Sequence, residues 1–268
     1  MNAAFAAVGL DWVYVALPVP RGQAAVAVAG ARAMGLAGLS VTMPHKEAVI
    51  PALDGLTSVA ATLGAVNCIV RAPHDDALLI GDNTDGVGFL RGLRDDLDLD
   101  VAGIRCVLLG AGGAGRSVAH ALGDAAARSI VVVNRDPSRG QHAAALAGPA
   151  GTFIPASDGD AVADAVADAD LLVNATPLGM GGADGSEPET SAALAVPADV
   201  LRSDLAVAEL VYHPAVTPLM ARARESGARA VNGLSMLVHQ AAVAFEHWTA
   251  TAAPLEVMRS AARDASTG

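Results

Sequence analysis

The 268-residue chain has only two cysteines, one lysine and 3% aromatic residues. Cys68 and Cys106 are too few and too far apart for a disulfide framework or a cysteine-based zinc site, which points to a reducing, cytoplasmic setting. Cations are scarce too: 17 basic residues stand against 28 acidic ones, for a net charge of −11. Phosphate neutralisation needs clustered cations, so nucleic acid is excluded as the main partner and anionic membrane surfaces are disfavoured. No apolar run of spanning length is free of Gly, Pro or charge, and no basic region precedes a hydrophobic stretch, so the expectation is a soluble protein without a membrane segment. The length suits one large or two modest domains with a substantial core.

Sixteen of the basic residues are arginine and the other is Lys46. A guanidinium stays protonated at any working pH, whereas an ammonium can release and recover a proton. A chain that uses arginine nearly everywhere keeps lysine either by chance or where proton transfer matters.

Short β-branched runs alternate with alanine-rich stretches. Strands are expected over 12–17, 39–42, 66–70, 78–82, 105–109, 130–134, 171–174, 205–208 and 228–231. Helices are expected over 22–34, 85–93, 113–122, 138–146, 161–167, 218–225 and 234–248, with an apolar helix at 2–10 opening the chain. This order is that of βαβ units, hence an α/β fold with a mostly parallel sheet covered on both faces. The acidic stretch 95–100 marks a domain junction, and the Gly- and acid-rich stretch 179–190 reads as a mobile loop.

The apolar strand 105–109 runs into Gly110-Ala111-Gly112-Gly113-Ala114-Gly115 and then a helix. Glycine there permits a tight turn, close approach of backbone to a pyrophosphate and helix–strand packing, while N–H groups at the helix start face the phosphates. A glycine-rich turn without a ligand is the bland alternative. The next strand ends at Asn134-Arg135-Asp136. Arg135 suits the 2′-phosphate of NADP and Asp136 the ribose hydroxyls of NAD; Arg135 comes first, so NADP is favoured over NAD.

Three polar clusters interrupt the first 90 residues, each at a strand end: Ser40-Val41-Thr42-Met43-Pro44-His45-Lys46, Gly64-Ala65-Val66-Asn67 and Gly81-Asp82-Asn83-Thr84-Asp85-Gly86. Open α/β sheets bind ligands at the carboxyl ends of their strands. A lysine, a carboxylate, an amide and a hydroxyl converging there suit a small polyhydroxylated substrate. Lys46 held by Asp85 can relay a proton to or from an alcohol oxygen while hydride moves at the adjacent carbon. Asp85 also reads as a helix N-cap, and His45 as a turn residue or supporting donor rather than a base.

Together with Asn174-Ala175-Thr176-Pro177-Leu178-Gly179-Met180 and Asn232-Gly233-Leu234-Ser235-Met236-Leu237, these motifs resemble the shikimate dehydrogenase family, in that family's order. The resemblance implies two lobes: an N-terminal α/β substrate domain, 1–94 completed by returning helices of 234–268, and a Rossmann-like NADP-binding domain, 95–233. It implies NADPH-dependent, reversible reduction of 3-dehydroshikimate to shikimate in the route to chorismate and aromatic amino acids, without metal, by a monomer or homodimer.

By motif, Lys46 and Asp85 are then the catalytic pair, with Lys46 as general acid. Thr42, Asn67, Asp85 and Gln240 hold the substrate hydroxyls, with Tyr212 nearby. Gly110, Ala111, Gly112, Gly113 and Ala114 hold the pyrophosphate and Asn134 and Arg135 the adenosine end. Thr176, Leu210 and Gly233 complete the cofactor site. The family also has an earlier strand, whose Ser-x-Ser element grips the substrate carboxylate. Met1 falls after it, so the expectation is a chain that starts one strand late. That departure motivates a second reading, a non-catalytic NADP-binding protein. A third keeps the chemistry with quinate or an amino-substituted shikimate as substrate. Ser235 stands where the family usually has glycine and is expected to crowd the nicotinamide end.

Overall fold

The computed structural model describes residues 1–180 and 196–266. Beyond Met180, the loop expected over 179–190 lies outside the described residues. The chain forms two compact units, Met1–Asp85 with Val238–Ala261 and Gly86–Leu237 with Ala262–Gly268. Both main divisions fall inside helices, not at the acidic stretch 95–100. Asp95 and Asp96 lie on the last turns of the helix that begins at Asp85, where a charged face is as well solvated as a linker.

The first unit opens with α1 (Asn2–Ala7), shorter than expected, followed by α2 (Ala24–Ala33). The strands β1 (Gly38–Ser40), β2 (Gly55–Leu56), β3 (Cys68–Ala72) and β4 (Asp75–Asp82) form one sheet in the order β1-β3-β4-β2. This sheet is not mostly parallel: β3 pairs antiparallel with both β1 and β4, and only β2 runs parallel to β4. The two-residue turn Pro73-His74 between β3 and β4 leaves no room for a crossover, so the pair must be a hairpin. The one-turn helix α3 (Ser58–Leu63) was not expected. Thr57 caps its start by accepting Ala60 N–H at 3.2 Å, and Gly64, at φ +58, ends it.

The strand expected over 12–17 does not form. Trp12, Val13, Tyr14, Val15 and Leu17 are exposed, and among the described residues no strand pairs with them. A strand needs a ladder, and here the Asn2 amide stands in for a single peptide, exchanging two hydrogen bonds with the backbone of Tyr14 at 2.9 and 2.6 Å.

From α4 (Asp85–Leu97) the chain enters the second unit: β5 (Arg105–Leu109), α5 (Gly113–Asp124), β6 (Ser129–Asn134), α6 (Pro137–Leu146), β7 (Gly151–Pro155), α7 (Gly159–Asp168), β8 (Leu171–Asn174), β9 (Ala206–Glu209), α8 (Pro218–Glu225) and β10 (Arg229–Val231). Its six strands are all parallel, in the order β10-β9-β8-β5-β6-β7. The edge strand β7, unforeseen, contains Gly151 and Pro155, which a central strand would not tolerate. Alternate residues of β5 enter different cores. Cys106 and Leu108 pack with α4, α5 and α6, while Val107 and Leu109 pack with α7 and α8. Burial on both faces is why these strands read as unbroken apolar runs.

The long helix α9 (Leu234–Thr249) returns the chain to the first unit, and α10 (Leu255–Ser266) follows it. Trp248 donates its indole N–H to the Ile69 carbonyl at 3.0 Å, and its ring covers Gly38, where any Cβ would strike it. Phe245 is fully buried and stacks on Phe5 with ring centroids 5.5 Å apart. Phe245→Ala is expected to cost about 3–5 kcal/mol by leaving a cavity where an aromatic ring was packed. Trp12 and Trp248, the only tryptophans, both lie in this unit, so urea unfolding followed by their fluorescence reads that loss directly. A loss below ~1 kcal/mol contradicts the packing described.

Candidate active site

Three backbone connections bring the polar clusters of the first unit together. Val41 N–H bonds the Asn67 carbonyl at 2.7 Å, extending the β1–β3 ladder by one residue. His45 N–H then closes a turn onto the Thr42 carbonyl at 2.9 Å, and the Lys46 carbonyl accepts Val66 N–H at 2.8 Å. Lys46 therefore leaves a short turn tied to the segment that carries Asn67. From the other side, β4 ends at Asp82 and α4 begins at Asp85. Asn83 Oδ1 accepts Asp85 N–H at 3.2 Å, so the capping role expected of Asp85 falls on Asn83.

Relieved of capping, the Asp85 carboxylate turns to side chains. Lys46 Nζ donates to Asp85 Oδ2 at 2.6 Å, and Asn67 Nδ2 donates to Oδ1 at 2.7 Å. Asn67 is itself oriented, its Oδ1 accepting Thr84 N–H at 2.8 Å. Gln240, from α9, reaches Asn67 Nδ2 with Oε1 at 3.4 Å, while its carbonyl accepts the Thr84 hydroxyl at 3.1 Å. The side chain of Asp85 is 8% exposed and that of Lys46 18%, so the pair is shielded yet still reachable. An ammonium and a carboxylate so placed, with the Asn67 amide on the carboxylate and the Gln240 amide beyond it, can exchange a proton with a hydroxyl oxygen and grip its neighbours. His45 Nε2 lies 2.8 Å from the Val19 carbonyl, which can only accept, so that nitrogen is a donor there. Thr42 is exposed at the end of β1.

In the second unit, the strand order reverses between β5 and β8, and ligands of such sheets bind at that point, beyond the strand carboxyl ends. Gly110 has φ +101, a conformation side chains rarely adopt. A Cβ on Gly115 would collide with the Gly110 carbonyl, whereas Cβ atoms on Gly112 or Gly113 would meet nothing within 4 Å. The glycines therefore divide into those that shape the turn and those that leave open space in front of the first turn of α5, as an incoming pyrophosphate requires. Asn134 Oδ1 accepts Ala111 N–H at 3.2 Å and its Nδ2 donates to the Asp136 carbonyl at 2.9 Å, so its amide braces this turn. Asp136 caps α6, accepting Arg139 N–H at 3.1 Å. One oxygen of the Asp136 carboxylate thus serves the helix, and Arg135 stands exposed beside it.

Thr176, Leu210, Tyr212 and Gly233 also belong to this unit. Any Cβ on Gly233 would strike the Leu210 carbonyl, so only glycine fits. Tyr212 is exposed just past β9. Ser235, expected to crowd the nicotinamide end, has its Cβ against Gly92 of α4. Both cysteines are buried, which pushes the Cys68 thiol up to about 12 and raises Cys106 as well. Among the described residues no three His, Cys, Asp or Glu side chains group as metal ligands.

Sequence reasoning missed Glu209. It ends β9, is 2% exposed, and accepts Asn174 Nδ2 at 2.7 Å and the Thr217 hydroxyl at 2.8 Å. The available signal was an acid set inside the apolar run Leu205-Ala206-Val207-Ala208-Glu209-Leu210-Val211, where a charge has no solvent.

A parallel six-stranded sheet with a glycine turn at its reversal point, and a separate unit holding a shielded lysine–carboxylate pair, define a dinucleotide-dependent oxidoreductase of the α/β class. Family models of the shikimate dehydrogenase substrate-binding domain, of shikimate/quinate 5-dehydrogenase and of the shikimate 5′-dehydrogenase C-terminal domain match residues 1–69, 94–179 and 233–263. The shikimate dehydrogenase (NADP(+)) of Moorella thermoacetica is 46% identical over 98% of this chain and 87% of its own. The shikimate dehydrogenase of Thermus thermophilus, solved with NADP(H) and shikimate, superposes with a TM-score of 0.83 at 32% identity, covering 98% and 92%. The quinate dehydrogenase of Corynebacterium glutamicum, solved with NAD, superposes at 0.83 and 32%, covering 97% and 90%. The chain belongs to the shikimate dehydrogenase family.

Burial pushes the Glu209 carboxyl up to about 7, against the pull of its two hydrogen-bond donors. A carboxyl with a folded value above its unfolded one binds protons on folding. Stability is therefore fully present below the unfolded value near 4.5, falls as pH rises, and levels off above about 7. Between pH 4.5 and 8, the unfolding free energy of wild type relative to Glu209→Gln is expected to drop by on the order of 3 kcal/mol. Denaturant titrations at several pH values measure this; a constant difference contradicts it.

Proposed function

We propose that this chain reduces 3-dehydroshikimate to shikimate, reversibly and with NADPH, with Lys46 and Asp85 as its catalytic pair. The observation that carries this reading is the Lys46–Asp85–Asn67 arrangement in a member of this family. NADPH, when bound, supplies the hydride to the carbonyl carbon. Gly110 to Ala114 and the start of α5 receive its pyrophosphate, with Asn134 bracing the turn. Arg135 would pair with the 2′-phosphate, Leu210 and Gly233 would lie toward the nicotinamide, and Thr176 would complete the cofactor site.

The remaining work falls to the first unit. Lys46 donates its Nζ proton to the ketone oxygen as the alcohol forms, and in the other direction the neutral amine takes that proton back. Asp85 holds the ammonium in place and, with Thr42, Asn67 and Gln240, offers partners to the ring hydroxyls; Tyr212 completes the set. Quinate stays a second reading because a quinate dehydrogenase is among the similar structures. A comparison of kcat/KM for shikimate and quinate decides between them. Free, buried cysteines accord with a cytoplasmic enzyme, and among the described residues no helix is long and apolar enough to cross a membrane.

Lys46→Ala is expected to lower kcat about 100- to 10,000-fold while NADPH affinity, read by its fluorescence, stays within about twofold. Lys46→Arg is the sharper variant, since charge is kept and proton transfer lost. Near-normal turnover in Lys46→Arg removes the proposed mechanism. Arg135→Ala is expected to raise the KM for NADPH about 10- to 100-fold, the equivalent of one or two charge-assisted hydrogen bonds, and to leave that for NADH unchanged. Equal losses with both cofactors contradict the role given to Arg135.

A further inference from the structure

Glu209 has no part in the chemistry above, yet it anchors a connected set of contacts that ends at the glycine turn. The parallel register places Leu109, Asn174 and Glu209 side by side at the carboxyl edge of β5, β8 and β9. Thr176 and Ala175, just past β8, form the floor under Gly110: a Cβ there would lie 2.8 Å from Thr176 Cγ2 and 3.1 Å from the Ala175 carbonyl. That floor is shaped by Asn174. Its Oδ1 accepts Thr176 N–H at 3.0 Å and the Thr176 hydroxyl at 2.7 Å, while its Nδ2 donates to the Leu178 carbonyl at 3.1 Å and to Glu209 at 2.7 Å.

Both donors and both acceptor sites of the amide are thus in use, and its two ends are not interchangeable. Glu209 Oε2 accepts from the Asn174 amide nitrogen, so the nitrogen end faces Glu209 and the oxygen end faces Thr176. The second Glu209 oxygen takes the hydroxyl of Thr217, whose Oγ accepts Met220 N–H at 3.2 Å at the start of α8. Among the described residues no cation stands against Glu209. A buried acid without one is a poor way to gain stability, because an apolar side chain of its size avoids the desolvation altogether. Its use here is orientation.

We infer that Glu209 is a positioning residue which, through Asn174, holds residues 174–180 as the floor of the glycine turn and so sets the affinity for the dinucleotide. This rests on the reading of this unit as the holder of NADP. A displaced floor moves the turn against which the pyrophosphate must fit, and misplacement by about 1 Å is enough to matter at such sites. The amide of Asn174 keeps its direction only while an acceptor faces it.

The test compares Glu209→Met, which keeps volume and removes both acceptors, with Glu209→Gln, which can still turn one oxygen to Asn174. NADPH binding is titrated by its own fluorescence, beside steady-state kinetics and thermal unfolding. The Kd for NADPH is expected to rise at least about tenfold in the Met variant and about threefold in the Gln variant. In both, kcat at saturating NADPH and the KM for 3-dehydroshikimate stay within about twofold, while the melting temperature of the Met variant falls because the buried donors of Asn174 and Thr217 lose their acceptors. A merely structural role would lower the melting temperature and active fraction and leave the Kd of the folded protein alone. Unchanged Kd in Glu209→Met overturns the inference. If that variant does not fold, unchanged Kd in Glu209→Gln does so. Wild type that fails to bind NADPH sinks the functional reading instead, so the two failures are distinguishable.

Discussion

A carboxylate withdrawn from water must be given partners, and the first unit is arranged around supplying them to Asp85. With its side chain 8% exposed, it would be costly alone; Lys46 and Asn67 satisfy one oxygen each. Lys46, Asn67 and Gln240, which in turn meets Asn67, are delivered from different places. Lys46 comes from the turn after β1, Asn67 from the segment entering β3, and Gln240 from a helix more than 150 residues later. The antiparallel pairing of β3 with both β1 and β4 makes this possible, because it sets the end of β1 and the end of β4 on either side of the start of β3. Ser40, Cys68 and Asp82 share a register position, and Lys46, Asn67 and Asp85 lie within six residues of them.

The second unit reaches a comparable convergence by the opposite means. Six parallel strands deliver their last residues to one edge, so Asn134, Leu109, Asn174 and Glu209 become neighbours without any antiparallel return. The two buried carboxylates among the described residues then differ in kind. Asp85 faces a cation and remains reachable; Glu209 faces two neutral donors and is sealed. The first environment suits a group that must exchange charge with a ligand, the second a group that must hold an amide still.

Much of this was legible in the sequence because the motifs carry local signals. The glycine turn follows an apolar strand and opens a helix, and the three polar clusters each follow a β-branched run. Other features were legible but weighed on the wrong side. Asp136 precedes Pro137, an N-cap followed by proline at the first helical position, and that pattern already assigned its carboxylate to α6. What stayed hidden was non-local. Whether the first sheet is parallel depends on pairings that periodicity does not encode. Strand β2, two residues long, leaves no periodic trace at all. Residues 12–17 have the composition of a strand but no ladder among the described residues, since pattern specifies a face and not a partner. Glu209 escaped notice because its meaning lies in Asn174 and Thr217, 35 and 8 residues away.

The lone lysine gains its sense from what the arginines do. Arg32 bonds the carbonyls of Ala77 and Ala52, and Arg71 those of Leu36 and Asp76. Arg202 clamps Val166 and Ala169, while Arg222, Arg224 and Arg229 reach the carbonyls of Val196, Ala230 and Leu97. These are tasks for a planar fork of donors that never loses its charge, tying loops and helix ends to backbone. An ammonium performs them less well, with fewer donors and a more tightly held water shell. At position 46 the contact is of another kind: a single point, to one carboxylate oxygen of Asp85 at 2.6 Å. A compact ammonium suits that single contact, whereas the arginines named above turn the guanidinium fork to backbone carbonyls.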